Sequence, residues 1–227
     1  MILAAGRGER MRPLTDQTPK PLLDVGGRPL IEHHLAKLAA AGFERIIINH
    51  AHLGEQIVAA VGDGSRWGVT TCFSAEQDAL ETAGGIANAL ALISSEAFAV
   101  VNSDIYSDYD YARLRVAAQR LLDDHHRLAH LILVDNPAHN PMGDFALENG
   151  DVVIESANKL TFSGLATYRP ELFASVLPGE KKPLGPLLQA QAGVGRVSGE
   201  HYHGNWTDVG TPQRLAILNK ILDREES

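Results

Sequence analysis

A doubly wound α/β fold, built on a mostly parallel sheet and carrying a small second lobe, is the architecture this sequence predicts, and three observations predict it. Short apolar runs alternate with amphipathic segments in a β-α-β-α rhythm. Runs such as Ile46-Ile47-Ile48 and residues 97–101 are continuously apolar rather than alternating, as expected of strands covered by helices on both faces. The composition, 44% hydrophobic with 21 glycines, 11 prolines and 6% aromatic residues, fits a globular α/β chain and excludes a coiled coil or a disordered one.

In chain order, "MILAA" reads as a strand already under way at Met1, so a few residues are expected upstream. "PLIEHHLAKLAAAG" follows with helical spacing, then "RIIINHA" as a strand, "EQIVAAVGDG" as a helix and "VTTCFSA" as a strand. "TAGGIANALALI" reads as a helix, "AFAVVNSD" as a strand and "YARLRVAAQRLLDD" as a helix, which completes a doubly wound half over residues 1–135. Beyond it the pattern changes. "DFALENGDVVIE" places Asn149-Gly150 between alternating segments, the signature of a β-hairpin, and "KLTFSGLATY" reads as a further strand. "TPQRLAILNKILDREES" is an amphipathic helix with Pro212 near its first turn, packed against the sheet. Neither a repeat nor a linker separates residues 136–227 from the first half, so residues 1–227 are read as one domain with a second lobe on the same sheet.

Charge and cysteine usage narrow the function classes. The formal net charge of −8 leaves no basic excess for nucleic acid or an anionic membrane surface, so any anion must be met by a local cluster. Cys72 is the only cysteine, which rules out a disulfide or a thiolate zinc site within one chain and fits a reducing cytoplasm. The apolar start is followed by arginines, the reverse of a signal peptide's order, and no run is long enough to span a membrane.

Ligands of open α/β sheets sit beyond the carboxyl ends of the strands, so the polar residues that follow each apolar run carry the functional signal. After the first strand comes "LAAGRGERMRP", two glycines and three arginines in one short loop. Met11 occupies the place of the third glycine of a dinucleotide fingerprint, and no Walker-type run occurs, so the loop reads as a phosphate site of another kind. After "AFAVV" comes Asn102-Ser103-Asp104, and "GNWTDVGT" holds Asp208. Two such carboxylates suit a hard divalent cation such as Mg²⁺. Lys20 stands between Pro19 and Pro21, which restrict the backbone and can aim its ammonium, although by itself the residue reads as an ordinary solvated loop lysine. Of the ten histidines, His201 and His203 are expected to share one face of a short strand, and with no third ligand at zinc-like spacing they read as structural. Cys72 reads as a small packed hydrophobe, and Asp108, Asp110, Asp123 and Asp124 as solvated residues near helix ends.

Six ordered motifs, L-x-x-G-x-G-x-R-M-x-P-x-T, T-P-K-P-L, G-x-P-L-I, E-T-A-G-G, N-x-D and W-x-D-V-G-T, resemble those of the sugar-1-phosphate nucleotidylyltransferases and run through nearly the whole chain. The resemblance implies a Rossmann-like nucleotidyltransferase fold, with residues 1–135 as the nucleotide-binding half and residues 136–227 as a small sugar-binding lobe and C-terminal helix. Leu3, Ala4, Ala5, Gly6 and Gly8 would line the nucleotide, Arg10 and Lys20 would be catalytic, and Glu81, Ala83, Gly84 and Gly85 would face the base. Asp104 and Asp208 would bind Mg²⁺, and Asn136, Gly143, Asp144, Ser163 and Gly164 would serve the sugar. The expected reaction moves UMP from UTP to a sugar-1-phosphate, with N-acetylmuramate α-1-phosphate as the preferred acceptor, and serves peptidoglycan recycling in the cytoplasm. Lys159 is a candidate for the acceptor's lactyl carboxylate. Glu81 could accept from uracil or from guanine, which keeps GTP with mannose-1-phosphate or a heptose phosphate as the rival reading; a non-catalytic sugar-nucleotide-binding regulator is the rival of another class. A monomer or a dimer is expected.

Overall fold

The computed structural model describes residues 1–225, and β1 (Ile2–Leu3) lies at the centre of its first half. After a two-stranded ribbon, β2 (Asp24–Val25) with β3 (Arg28–Pro29), the chain crosses through α1 (Leu30–Ala40) to β4 (Arg45–His50). It moves outward again through α2 (Gly54–Val61) to β5 (Thr70–Ala75), then returns through α3 (Glu81–Ala89) to β6 (Phe98–Asn102) on the other side of β1. All three pairings are parallel, so the order β5-β4-β1-β6 reverses direction at β1 and opens a crevice at its carboxyl end.

The second half begins with β7 (Ile105–Ser107) and α4 (Ala112–Asp123), followed by β8 (Ala129–Val134), β9 (Phe145–Glu148), β10 (Asp151–Val153) and β11 (Lys159–Tyr168). It closes with α5 (Leu184–Ala192), β12 (Val197–Tyr202), β13 (Trp206–Asp208) and α6 (Pro212–Glu225). The expected hairpin is β9–β10, turning through Asn149 and Gly150 at φ 53° and 88°, the left-handed pair that a tight hairpin requires. The parallel expectation holds for the first half and for β8 with β12. β11 runs antiparallel between β6 and β8, so the nine-stranded sheet is mixed across its second half.

Successive residues of the central strands face opposite sides, which is why continuous apolar runs were needed. Ile46 and Ile48 pack with Ile31, Leu35 and Ile57 on one face, while Ile47 packs with Ala83, Ile86 and Leu131 on the other. Cys72 packs at the edge of this second cluster. A third cluster, with Met11, Leu30, Val209 and Leu218, ties the first loop to α6. No helix among the described residues is long and apolar enough to cross a membrane.

Candidate active site

A cleft of about 350 Å³ opens where the strand order reverses. The loop after β1 forms one wall through Leu3, Ala5, Gly6, Gly8 and Arg10, and the segment after β6 forms another through Asn102, Ser103 and Asp104. Lys20 and Glu81 also line the cleft. The loop's shape follows from its glycines. Gly8 sits at φ +68°, where an added Cβ would also stand 3.0 Å from Thr15, and its carbonyl accepts the Thr15 hydroxyl at 2.9 Å. Gly6 is under neither constraint; it is exposed and faces open space in the cleft, where a ligand can approach the backbone closely.

The three arginines of the loop differ in what holds them. Arg7 donates to the Thr15 carbonyl and to Asp16, both at 2.6 Å, and Arg12 donates to Asp16 at 2.8 Å. Those hydrogen bonds, from Arg12 foremost, hold the Asp16 carboxyl below its ordinary range. Arg10 is exposed on the cleft and has no hydrogen-bond or ion-pair partner among the described residues.

Asp104 sits in the turn between β6 and β7, and Asp208 ends β13. β7 pairs antiparallel with β13 so that Asp208 stands opposite Ile105, and the Val209 amide donates to the Asp104 carbonyl at 2.7 Å. Each carboxylate carries a cation. Lys20 Nζ is 2.7 Å from Asp104 Oδ2, whereas Asp208 Oδ1 is 3.0 Å from both Arg214 Nη1 and His139 Nε2. Asp208 thereby borders a second pocket with His139 and Arg214, while its neighbour Gly210 lines the first cleft. Both carboxylates are hard oxygen donors of the kind that suits a magnesium ion, and they stand on backbone segments that hydrogen-bond to one another.

The segment that follows places its residues unequally. Glu81 opens α3 at φ +60°, an uncommon conformation for a residue with a side chain, and projects from an exposed position on the cleft. Ala4, Ala83, Gly84 and Gly85 lie behind the wall. A Cβ on Gly84 would stand 2.2 Å from the Glu180 carbonyl, and one on Gly85 2.7 Å from both Asn49 and Glu76, so close packing requires both glycines. Glu81, Arg10, Lys20 and Asp104 are thus brought together, and the small residues of α3 support them from beneath.

Sequence reasoning missed two buried polar residues. The Asn49 amide oxygen accepts the Ala4 amide at 2.9 Å, its Nδ2 donates to Glu76 Oε1 at 2.6 Å, and Glu76 Oε2 accepts the Leu80 amide at 2.9 Å. This chain links the ends of β1, β4 and β5 to the start of α3. Both residues stand at the carboxyl end of an apolar run, the same signal that singled out Asp104.

In the second half, Asn136 Nδ2 donates to the Lys159 carbonyl at 2.8 Å and its Oδ1 accepts the Thr161 hydroxyl at 2.8 Å. Asp144 accepts the Phe162 amide at 2.8 Å, and the buried Ser163 donates to the Ile132 carbonyl at 2.7 Å. Gly143 and Gly164 have φ of +63° and +81°, and a Cβ on Gly164 would stand 2.7 Å from Asn102. These residues hold the loop between β8 and β9 onto a bulged stretch of β11. Sequence spacing showed no third residue beside His201 and His203, and the parallel pairing of β12 with β8 supplies one, Asp135.

A family model described as nucleotidyl transferase matches residues 1–225. The chain is 52% identical to an N-acetylmuramate alpha-1-phosphate uridylyltransferase of Neisseria meningitidis serogroup B over 95% of its own length and 94% of that protein. It is 33% identical to the protein of that name from Caulobacter vibrioides, over 98% and 96% of the two chains. Among solved structures, a provisionally assigned glucose-1-phosphate thymidylyltransferase of Bacillus anthracis shares the fold at a TM-score of 0.84 and 22% identity, over 97% of this chain and 93% of the other.

Proposed function

The chain belongs to the nucleotidyl transferase family, and from that premise we propose that it transfers the uridylyl group of UTP to N-acetylmuramate α-1-phosphate. A phosphate oxygen of the sugar-1-phosphate attacks the α-phosphorus of UTP; that P–O bond forms, the bond from the α-phosphorus to the bridging oxygen breaks, and pyrophosphate leaves with the electron pair. Both reactants are anionic, so the protein has mainly to position them and neutralise their charge. The observation that carries the reading is Arg10, an exposed cation without a partner among the described residues, on a glycine loop at the point where the strand order reverses.

Each residue has a role in this reading. Leu3, Ala5, Gly6 and Gly8 present backbone along the triphosphate, and Arg10 meets the charge that grows on the leaving pyrophosphate. Lys20 approaches the α-phosphate or the sugar phosphate, and Glu81 accepts from the base. Asp104 and Asp208 would hold magnesium, which supplies charge neutralisation to the phosphates when bound. Asn136, Gly143, Asp144, Ser163 and Gly164 frame the sugar side by fixing the loop above β11. The product enters cell-wall sugar recycling in the cytoplasm.

The test is kcat/KM for N-acetylmuramate-1-phosphate, N-acetylglucosamine-1-phosphate, glucose-1-phosphate and mannose-1-phosphate, each with UTP and with GTP. N-acetylmuramate-1-phosphate with UTP is expected to lead. A lead of more than about tenfold for glucose-1-phosphate or mannose-1-phosphate, roughly 1.4 kcal/mol in transition-state binding, overturns the acceptor. A lead for GTP overturns the donor, and binding without turnover of any pair returns the chain to a regulator.

A further inference from the structure

Two imidazoles and a carboxylate meet at the carboxyl ends of β8 and β12, outside the lining of the nucleotide cleft. The parallel register sets His201 beside Leu133 and Tyr202 beside Val134, so one further step brings Asp135 alongside His203. Alternation along the strand turns His201 and His203 to the same side, with ring centroids 3.8 Å apart. His201 Nε2 is 2.9 Å from Asp135 Oδ1, and one ligating atom from each of the three residues lies within 4.8 Å of the others. Ligand atoms around a tetrahedral zinc ion with bonds of about 2.0–2.1 Å stand roughly 3.3 Å apart, so small side-chain rotations bring the three into place.

We propose that Asp135, His201 and His203 form a binding site for a divalent transition-metal ion of zinc's type. Two imidazoles with one carboxylate suit zinc and its neighbours in the first row, whereas magnesium takes oxygen donors, so this site differs in chemistry from the pair Asp104 and Asp208. The ion takes the place of the His201–Asp135 hydrogen bond, and each imidazole offers it one ring nitrogen. Three protein ligands leave one position for water or an added ligand. His201 is partly sheltered while Asp135 and His203 are exposed, so an ion can enter from solvent without opening the fold.

Calorimetric titration of the full chain with zinc chloride in excess magnesium tests this. One saturable site is expected, weakened at least about tenfold by His203→Ala and by Asp135→Asn and retained in Asp104→Asn, which separates its fate from that of the catalytic reading. Cobalt(II) should give visible ligand-field bands that His203→Ala abolishes. Circular dichroism checks each variant's fold, and His203→Gln replaces His203→Ala if the latter is unfolded. Zinc affinity unchanged in both ligand variants, or no saturable binding by the unaltered chain, overturns the site.

Discussion

The loop after β1 and the loop after β8 are both rich in polar side chains, and they use them in opposite ways. In the second, Asn136, Asp144, Asn140 and Thr161 hydrogen-bond to one another and to the backbone of β11, so their donors and acceptors are already satisfied. In the first, Arg7 and Arg12 share Asp16, while Arg10 is left facing the cleft. The difference teaches that a polar cluster by itself does not mark a reactive surface. The informative group is the one that its neighbours leave unsatisfied, since a charge held without a partner is available to a ligand.

The largest effect is expected where the two halves meet. Asp104→Asn and Asp208→Asn should each lower turnover by roughly a hundredfold or more, the scale set by removing one charge-stabilising group from a preorganised site. Each also strips a partner from a half-buried cation, Lys20 or Arg214, so the melting temperature should fall by a few degrees. Near-normal turnover in either variant, in steady-state kinetics with saturating magnesium, removes that residue from the site.

Within the first loop, Arg10→Ala should reduce kcat/KM by about a hundredfold, roughly 2.7 kcal/mol, with thermal stability unchanged. Arg7→Ala should do the reverse: a small kinetic effect and a lower melting temperature, because Arg7 anchors the loop to Thr15 and Asp16. Equal, mild kinetic effects would collapse the distinction between them. In the second loop, Asp144→Ala leaves the Phe162 amide without its acceptor and should cost about 1–3 kcal/mol in urea unfolding, with KM for UTP unaffected. A raised KM for the sugar phosphate at full stability would make that loop a binding surface rather than a frame.

Acid probes the halves through their buried histidines. Burial lowers the pKa of His33 and His34 in α1 and of His130 in β8, that of His34 to about 3. A histidine whose folded pKa lies below its unfolded value contributes its stability in full above the unfolded value, near 6.5, and loses it as pH falls, because only the unfolded chain takes up the proton. For His34 alone the loss by about pH 5 is about 2 kcal/mol, so the urea midpoint should drop between neutral pH and pH 5. His34→Gln should flatten that profile more than His130→Gln does; equal flattening would place the acid sensitivity in both halves alike.

Much was determined by local pattern. Continuous apolar runs predicted β4 and β6 because a strand buried on both faces has no polar side, and Asn149-Gly150 predicted the β9–β10 hairpin because few residue pairs adopt two left-handed conformations in succession. The rule that ligands gather beyond strand ends pointed to the loop holding Arg10 and to Asp104, which line one cleft, since strand direction is written in the order of the chain; Lys20 stood out only through its flanking prolines and the family resemblance. Tertiary structure alone decided what depends on pairing between distant segments. The antiparallel entry of β11, the β7–β13 ribbon that places Asp208 beside Asp104, and the parallel register that brings Asp135 to His201 and His203 join residues separated by tens of positions. So does the Asn49–Glu76 link beneath the first loop. Hydrogen bonds across a sheet carry no local sequence signature; they are chosen by which backbone edges remain unpaired once the core has collapsed.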